Sequence, residues 1–124
     1  MGLNDMIQAI KGHPEYPKMG MIASHLGVVR ETSLSGKRVA GIEVAFSENI
    51  IAEIIKETEA LPGIVKVEIE TYGGRLYVGD EIMAVAIGGD TREHVFPALI
   101  TVVDHIKAKG ARKKEFSMAS TEGN

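Results

Sequence analysis

Residues 64–87, IVKVEIETYGGRLYVGDEIMAVAI, contain three predicted strands separated by two turns that contain glycine. In residues 64–72, apolar and charged side chains alternate, which is typical of a strand with one buried face. Residues 75–78 predict a short strand. Residues 81–87 are apolar after Glu81, show no alternation and predict a buried strand. Consecutive strands joined by short turns favour an antiparallel sheet.

On the N-terminal side of this stretch, the sequence predicts a helix over residues 4–11, capped by Asn4. Two strands are predicted over residues 19–30 and 38–46, and they could pair as a hairpin. Ser47 is the predicted N-cap of an amphipathic helix that follows. The apolar side of that helix contains Ile50, Ile51, Ile54, Ile55, Thr58 and Leu61.

On the C-terminal side, Asp90 and Glu93 resemble a capping box and predict the start of a third helix. Pro97 predicts either a kink or a regular helix that begins at that residue. The predicted core residues of this helix are Phe96, Leu99, Ile100, Val103 and Ile106. Residues 117–124 are polar and predict a disordered tail. We therefore predict a single α+β domain over residues 1–116, with a mainly antiparallel sheet and helices packed on it.

The composition excludes several classes of protein. The chain has 124 residues and no cysteine, which excludes disulfides and a cysteine nucleophile and fits a reducing cytoplasm. A net charge of −3 argues against a general nucleic-acid binder, and no apolar run is long enough to predict a membrane span. The histidine spacings match no metal signature, so we expect no metal or cofactor and interpret each histidine as a surface or hydrogen-bonded residue. These histidines are His13, His25, His94 and His105.

The clearest chemical feature is the basic segment, residues 107–114, which has five cations in eight residues. On charge alone, stabilisation of a helix C-terminus by nearby cations explains it, and an anion-binding active site is the alternative. Two further places favour anions. Residues 88–90, Gly-Gly-Asp, lead into a helix N-terminus with Arg92 on its first turn, and Arg30 ends a strand.

Several segments also resemble a known family when they are taken together in their order and spacing. They are Leu26-Gly27-Val28-Val29-Arg30, Ala52-Glu53-Ile54, Leu76-Tyr77-Val78-Gly79-Asp80-Glu81-Ile82, Arg92 with Phe96, residues 104–107, and Arg112-Lys113-Lys114-Glu115. This set resembles the large, catalytic subunit of molybdopterin synthase over roughly residues 19–116.

The resemblance implies a fold, partners and an activity. The implied fold is the α/β hammerhead, which is α+β in class. The implied partners are a second copy of the chain and a small ubiquitin-like sulfur carrier that ends in Gly-Gly, which together make a heterotetramer. The implied reaction transfers sulfur from the carrier's thiocarboxylate to cyclic pyranopterin monophosphate, and its product is molybdopterin.

The resemblance also assigns candidate site residues. Lys107 matches the first active-site lysine of the family. The second matches Lys113 if one residue is deleted before it, and Lys114 without that deletion. Arg30 and Arg92 match the anion-binding arginines, and Thr91 beside Arg92 is a further candidate substrate-binding residue.

Two departures from the family leave a second hypothesis open. Thr91 stands where the family usually has a histidine, and the loop after Phe46 is shorter than usual. The second hypothesis is a non-catalytic dimeric homologue that binds a pterin or a phosphate on the same scaffold. A third is a plain structural domain in which the basic segment only stabilises a helix end.

Overall fold

The fold is described from a computed structural model that covers residues 2–117. The helices are α1 (Leu3–Lys11), α2 (Glu48–Glu59) and α3 (Arg92–His105). The strands are β1 (Met21–Val28), β2 (Gly41–Phe46), β3 (Ile64–Thr71), β4 (Gly74–Tyr77), β5 (Glu81–Gly89) and β6 (Ala111–Phe116). A short 3-10 helix (Tyr16–Lys18) precedes β1, and a π-helical turn (Ile106–Gly110), here called the π turn, follows α3. The predicted tail, residues 117–124, lies outside the described residues except for Ser117.

β5 is the central strand of a three-stranded antiparallel sheet with the order β1-β5-β3. Every residue from Met83 to Gly89 is buried, because helices cover both faces of this sheet. On one face α1 packs Met6 and Ile10, and on the other face α2 and α3 pack. This double cover explains why residues 81–87 show no alternation. The predicted α+β class and mainly antiparallel sheet are confirmed.

β2 is the central strand of a second three-stranded antiparallel sheet, with the order β4-β2-β6. The predicted hairpin between the first two strands is therefore wrong. β1 pairs with β5, and the loop after β1 has only an isolated bridge between Thr32 and Arg38. Val29, Ile42 and Val44 form a small core with Ile82 of β5 and so join the two sheets.

The predicted N-cap residue is correct for α2 and wrong for α1. The predicted cap of α2 is confirmed, because Ser47 Oγ accepts a hydrogen bond from the Ile50 N–H at 3.3 Å. The N-cap of α1 is Gly2, so the predicted cap Asn4 lies inside the helix. α2 buries Ile51, Ile54 and Thr58. Leu61 of the predicted stripe is 44% exposed, since α2 ends before it.

The buried stripe of α3 is shifted from the predicted one. The side chains that α3 buries are Val95, Ala98 and Val102. Phe96 is 49% and Ile100 is 63% exposed, whereas the predicted core residue Ile106 is fully buried. Apolar residues occupy almost every position in residues 95–103, so their spacing could not fix which face of the helix is buried. No helix of the described chain is both long and apolar enough to cross a membrane.

The start of α3 also differs from the prediction. α3 begins at Arg92 with Thr91 as its N-cap, and Pro97 lies inside the helix rather than at its start. The predicted capping box is wrong, because Asp90 precedes the N-cap and the carboxylate of Glu93 pairs with Arg92 at 3.3 Å.

The basic segment is not a helix end as a whole. It begins in the π turn and continues into β6, a strand that the sequence did not predict. The Gly110 carbonyl accepts a hydrogen bond from the Ser47 N–H at 2.8 Å, and β6 then pairs with β2 along its length. Four consecutive residues of β6 are exposed, so this edge strand lacks the apolar alternation that reveals a strand.

Replacing Ile106 by Ala should lower the free energy of unfolding by about 2–5 kcal/mol, because the change removes a fully buried side chain from the core. The matched change Ile100→Ala, at an exposed position of α3, should cost less than about 1 kcal/mol. Urea unfolding followed by circular dichroism measures both. Equal costs would contradict the position of the buried stripe.

Candidate functional site

The direction of α3 decides which candidate residues lie close together. β5 is antiparallel to β1, and Met21 at the start of β1 pairs with Gly89 at the end of β5. α3 begins beside Gly89, where Val95 packs, and it returns over the sheet in the direction of β1. The C-terminal ends of β1 and α3 therefore lie at the same end of the first sheet. Arg30 and Lys107 follow these two ends, so both lie there.

Lys107 lies close to His25, which the sequence did not single out. Lys107 is exposed in the π turn, and its positive charge reaches His25, a half-buried residue in the middle of β1. Burial lowers the pKa of His25, and the charge of Lys107 lowers that pKa further. His25 projects on the same face as Ala23, which packs in the core below α2 and α3. The structure therefore places a mainly neutral imidazole beside an ammonium group.

Arg30 is held by its backbone neighbours at the end of β1. The Val29 N–H donates to the Asp80 carbonyl at 2.9 Å, and the Gly79 N–H donates to the Val29 carbonyl at 2.8 Å. The Arg30 Nε donates to the carbonyl of Thr32 at 2.9 Å. Within residues 2–117, no carboxylate pairs with Arg30, so its charge is available for an anion.

Lys113 and Lys114, the two candidates for the second active-site lysine, project from opposite faces of β6. Lys113 is paired with Val44, and Lys114 is paired with Glu43. Residues paired directly across antiparallel strands project on the same face of the sheet. Lys113 therefore belongs to the face of buried Val44, which packs with Val29 near the end of β1. Lys114 belongs to the opposite, solvent-facing side.

The solvent-facing side of the second sheet has its own charged cluster. Arg75 Nη1 pairs with Glu43 Oε1 at 2.7 Å, and the Arg75 guanidinium lies 3.7 Å from the centre of the Phe116 ring. An open groove of about 460 Å³ lies along this sheet. It is lined by Glu43, Val44, Ala45, Gly74, Arg75, Arg112, Lys113 and Lys114.

Thr91 and Arg92 lie at the other end of α3, away from Lys107. Lys107 lies fifteen residues after Arg92, which corresponds to about 22 Å at the helical rise. Near Arg92, His94 Nδ1 and Asp90 Oδ1 are 2.7 Å apart, and this hydrogen bond lowers the pKa of Asp90. Within one chain, the structure thus places Arg30 and Lys107 at one end of the first sheet and Lys113 on the face of Val44, and it separates Thr91 and Arg92 from them.

The comparisons with known proteins agree with this architecture. A family model described as MoaE protein matches residues 3–109. Molybdopterin cofactor biosynthesis protein E from Burkholderia multivorans is 30% identical, covers 94% of this chain and 82% of its own, and superposes with a TM-score of 0.74. No curated protein sequence matches the chain.

Two more distant structures show the same fold. Molybdopterin synthase from Staphylococcus aureus is 24% identical, covers 81% of this chain and 76% of its own, and has a TM-score of 0.69. A complex of subunits 1 and 2 of molybdopterin-converting factor from Helicobacter pylori contains a chain that is 12% identical. That match covers 95% of this chain and 84% of the other, with a TM-score of 0.68.

Replacing Lys107 by Met should raise the pKa of His25, because it removes a nearby positive charge and keeps the aliphatic stem. The matched change Lys109→Met, in the same π turn, should leave the pKa of His25 unchanged. Titration of the histidine ring signals by NMR measures both. An unchanged pKa of His25 in the Lys107→Met variant would contradict the proximity of the two residues.

Proposed function

This chain belongs to the MoaE protein family, and from that premise we propose that it transfers sulfur from a thiocarboxylated ubiquitin-like carrier to cyclic pyranopterin monophosphate, giving molybdopterin. The family is that of the catalytic subunit of molybdopterin synthase, so the chain is an enzyme of molybdenum cofactor biosynthesis. The observation that most supports the sulfur-transfer step is that Lys107 lies at the end of the sheet where Arg30 also lies, near His25, whose pKa is lowered by burial and by this lysine.

The proposed partner is a small carrier subunit whose C-terminal Gly-Gly ends in a thiocarboxylate. The Helicobacter pylori structure is a complex of two subunits, which supports a partner of this kind for a chain with the same fold. The carrier's extended tail would enter at the end of the sheet where β1 and α3 finish. The cytoplasmic location stays a prediction.

In this proposal the lysines act on the acyl end of the carrier. An ammonium group can stabilise the negative charge that develops on an acyl oxygen, and a neutral lysine can attack the acyl carbon. Among the described residues, no carboxylate pairs with Lys107 or Lys113. We assign the second active-site lysine to Lys113 rather than Lys114, because Lys113 is on the face that packs towards the end of β1.

The arginines are proposed to bind the substrate phosphate. A guanidinium forms paired, charge-assisted hydrogen bonds to phosphate oxygens. Arg30 lies at the same end as Lys107, but Arg92 lies at the far end of α3. We therefore propose a homodimer in which Thr91 and Arg92 of one subunit complete the site of the other. With two carriers, this dimer makes a heterotetramer.

Lys107→Met and Lys113→Met should each lower kcat for molybdopterin formation by at least about 100-fold, because each removes a charged group from the acyl site. The matched change Lys114→Met should lower kcat less than about threefold, since that side chain faces away. The assay combines the purified protein with thiocarboxylated carrier and cyclic pyranopterin monophosphate.

Two results would contradict this assignment. Unchanged turnover of the Lys107 variant would remove the lysine from the chemistry. Binding of the pterin phosphate by the unsubstituted protein without any turnover would instead support the non-catalytic homologue.

A further inference from the structure

His25 is a polar side chain in an otherwise apolar part of the sheet. It is paired with Val85 of β5 and lies between Ala23 and Gly27 on its own face of β1. The ring extends along the strand, because its Nε2 lies 3.5 Å from the place a Cβ would take on Gly27. Within residues 2–117, the ring has no hydrogen-bond partner and no carboxylate beside it.

The ring nitrogens of His25 reach solvent, because no buried side-chain nitrogen or oxygen of the described residues lacks a hydrogen-bond partner. They can therefore form a hydrogen bond with a bound molecule. Gly27 leaves room for about one methyl group beside Nε2, and the Met83 side chain on β5 borders that room at 3.4 Å. The charged group that faces the ring is Lys107, from the π turn above it. A small polar molecule that contacts Nε2 here would also lie within reach of the positive charge of Lys107.

The proposed reaction needs a proton acceptor at such a place. When sulfur passes from the carrier to the pterin, the carrier's acyl carbon remains bonded to that sulfur as a thioester. The thioester must then be cleaved, and water is the nucleophile that returns the carrier as a carboxylate. Attack by water requires a group that accepts its proton, and a neutral imidazole is the side chain best suited to that at pH 7.

We propose that His25 is a further catalytic residue, which activates this water beside Lys107. The water oxygen bonds to the acyl carbon while His25 Nε2 accepts one of its protons. The carbon–sulfur bond then breaks, the pterin leaves as a thiolate, and the carrier leaves as a carboxylic acid that ionises. Lys107 stabilises the oxyanion formed on the acyl oxygen. No oxidant or reductant is needed, because a thioester and water become a thiol and a carboxylic acid.

The electrostatics of the ring fit this role. Burial and the charge of Lys107 lower the pKa of His25, so the ring is unprotonated at neutral pH and can accept a proton. The same ammonium that disfavours the imidazolium favours the negative charge on the acyl oxygen. Lys107 therefore both favours the neutral form of His25 and stabilises the oxyanion on the acyl oxygen.

The inference rests on the proposed function, and a single-turnover experiment separates the two. The probe is a ubiquitin-like carrier ending in Gly-Gly, converted to its thiocarboxylate by sulfide cleavage of an intein fusion. It is mixed with cyclic pyranopterin monophosphate and excess enzyme, and quenched samples are analysed by mass spectrometry. Loss of the thiocarboxylate reports the first step, and appearance of the free carrier carboxylate reports thioester cleavage.

For His25→Gln, thiocarboxylate should disappear at the rate of the unsubstituted protein, while cleavage should slow by about 100-fold and the carrier–pterin thioester should accumulate. For His25→Gly, added imidazole should restore cleavage, a rescue that a purely structural role would not give. His13→Gln, in the loop after α1, is the control and should change neither step.

The outcomes are distinguishable. If the unsubstituted protein leaves the thiocarboxylate intact, both the proposed function and this inference are wrong. If it turns over and His25→Gln cleaves the thioester at the same rate, only the inference is wrong. Equal slowing of both steps in His25→Gln and His25→Gly, without rescue by imidazole, would show a structural role and would also overturn it.

Discussion

The packing of α3 against β1 and β5 is the contact on which the arrangement of the candidate site depends. Val95 contacts Gly89 at one end of the helix, and Val102 and Ile106 are completely buried towards the other. Because α3 follows the central strand, it must return antiparallel to β5 and therefore parallel to β1. The helix thus places its C-terminal lysine at the end of β1 and leaves its N-terminal arginine at the start of β1. Separation of the two groups within one chain is a consequence of this topology.

The π turn and β6 then connect this end of the first sheet to the second sheet. The Gly110 carbonyl is bonded to the N-cap residue of α2, so the chain leaves α3 at a fixed point. Pairing with β2 alternates the side chains of β6 between two faces. Adjacent lysines in the sequence are therefore in different surroundings, and one of them faces the small core that contains Val29. The strand pairing thus distinguishes the surroundings of Lys113 and Lys114, and the assignment of the second active-site lysine to Lys113 stays a prediction.

The sequence predicted the features that depend on local pattern. The N-cap at Ser47 depends on one local hydrogen bond. The buried central strand is indicated by a run of apolar residues. Two features were wrong because they depend on packing between distant segments. The buried side of α3 could not be read from a segment that is apolar all round, and the partner of β1 is sixty residues away rather than in the next strand.

Two other features had no distinct sequence signal. β6 is a charged edge strand, and charged residues in a row resemble a solvated helix end as closely as a strand. His25 is distinguished only by its proximity to Lys107, which lies eighty-two residues further along the chain. The only local indication beside His25 was the glycine two residues later, where the ring lies close to the backbone. The roles of the lysines and arginines came from the family resemblance and stay predictions.

The most direct test of the account is complementation between two inactive variants. Arg92→Ala and Lys107→Ala chains are unfolded together, refolded as a mixture, and assayed for molybdopterin formation. If each site combines Lys107 of one subunit with Arg92 of the other, half of the dimers are mixed and each has one intact site. The mixture should then recover about a quarter of the unsubstituted activity, although each variant alone is inactive. A mixture as inactive as its two components would show that the site does not combine these residues across subunits, and would contradict the account.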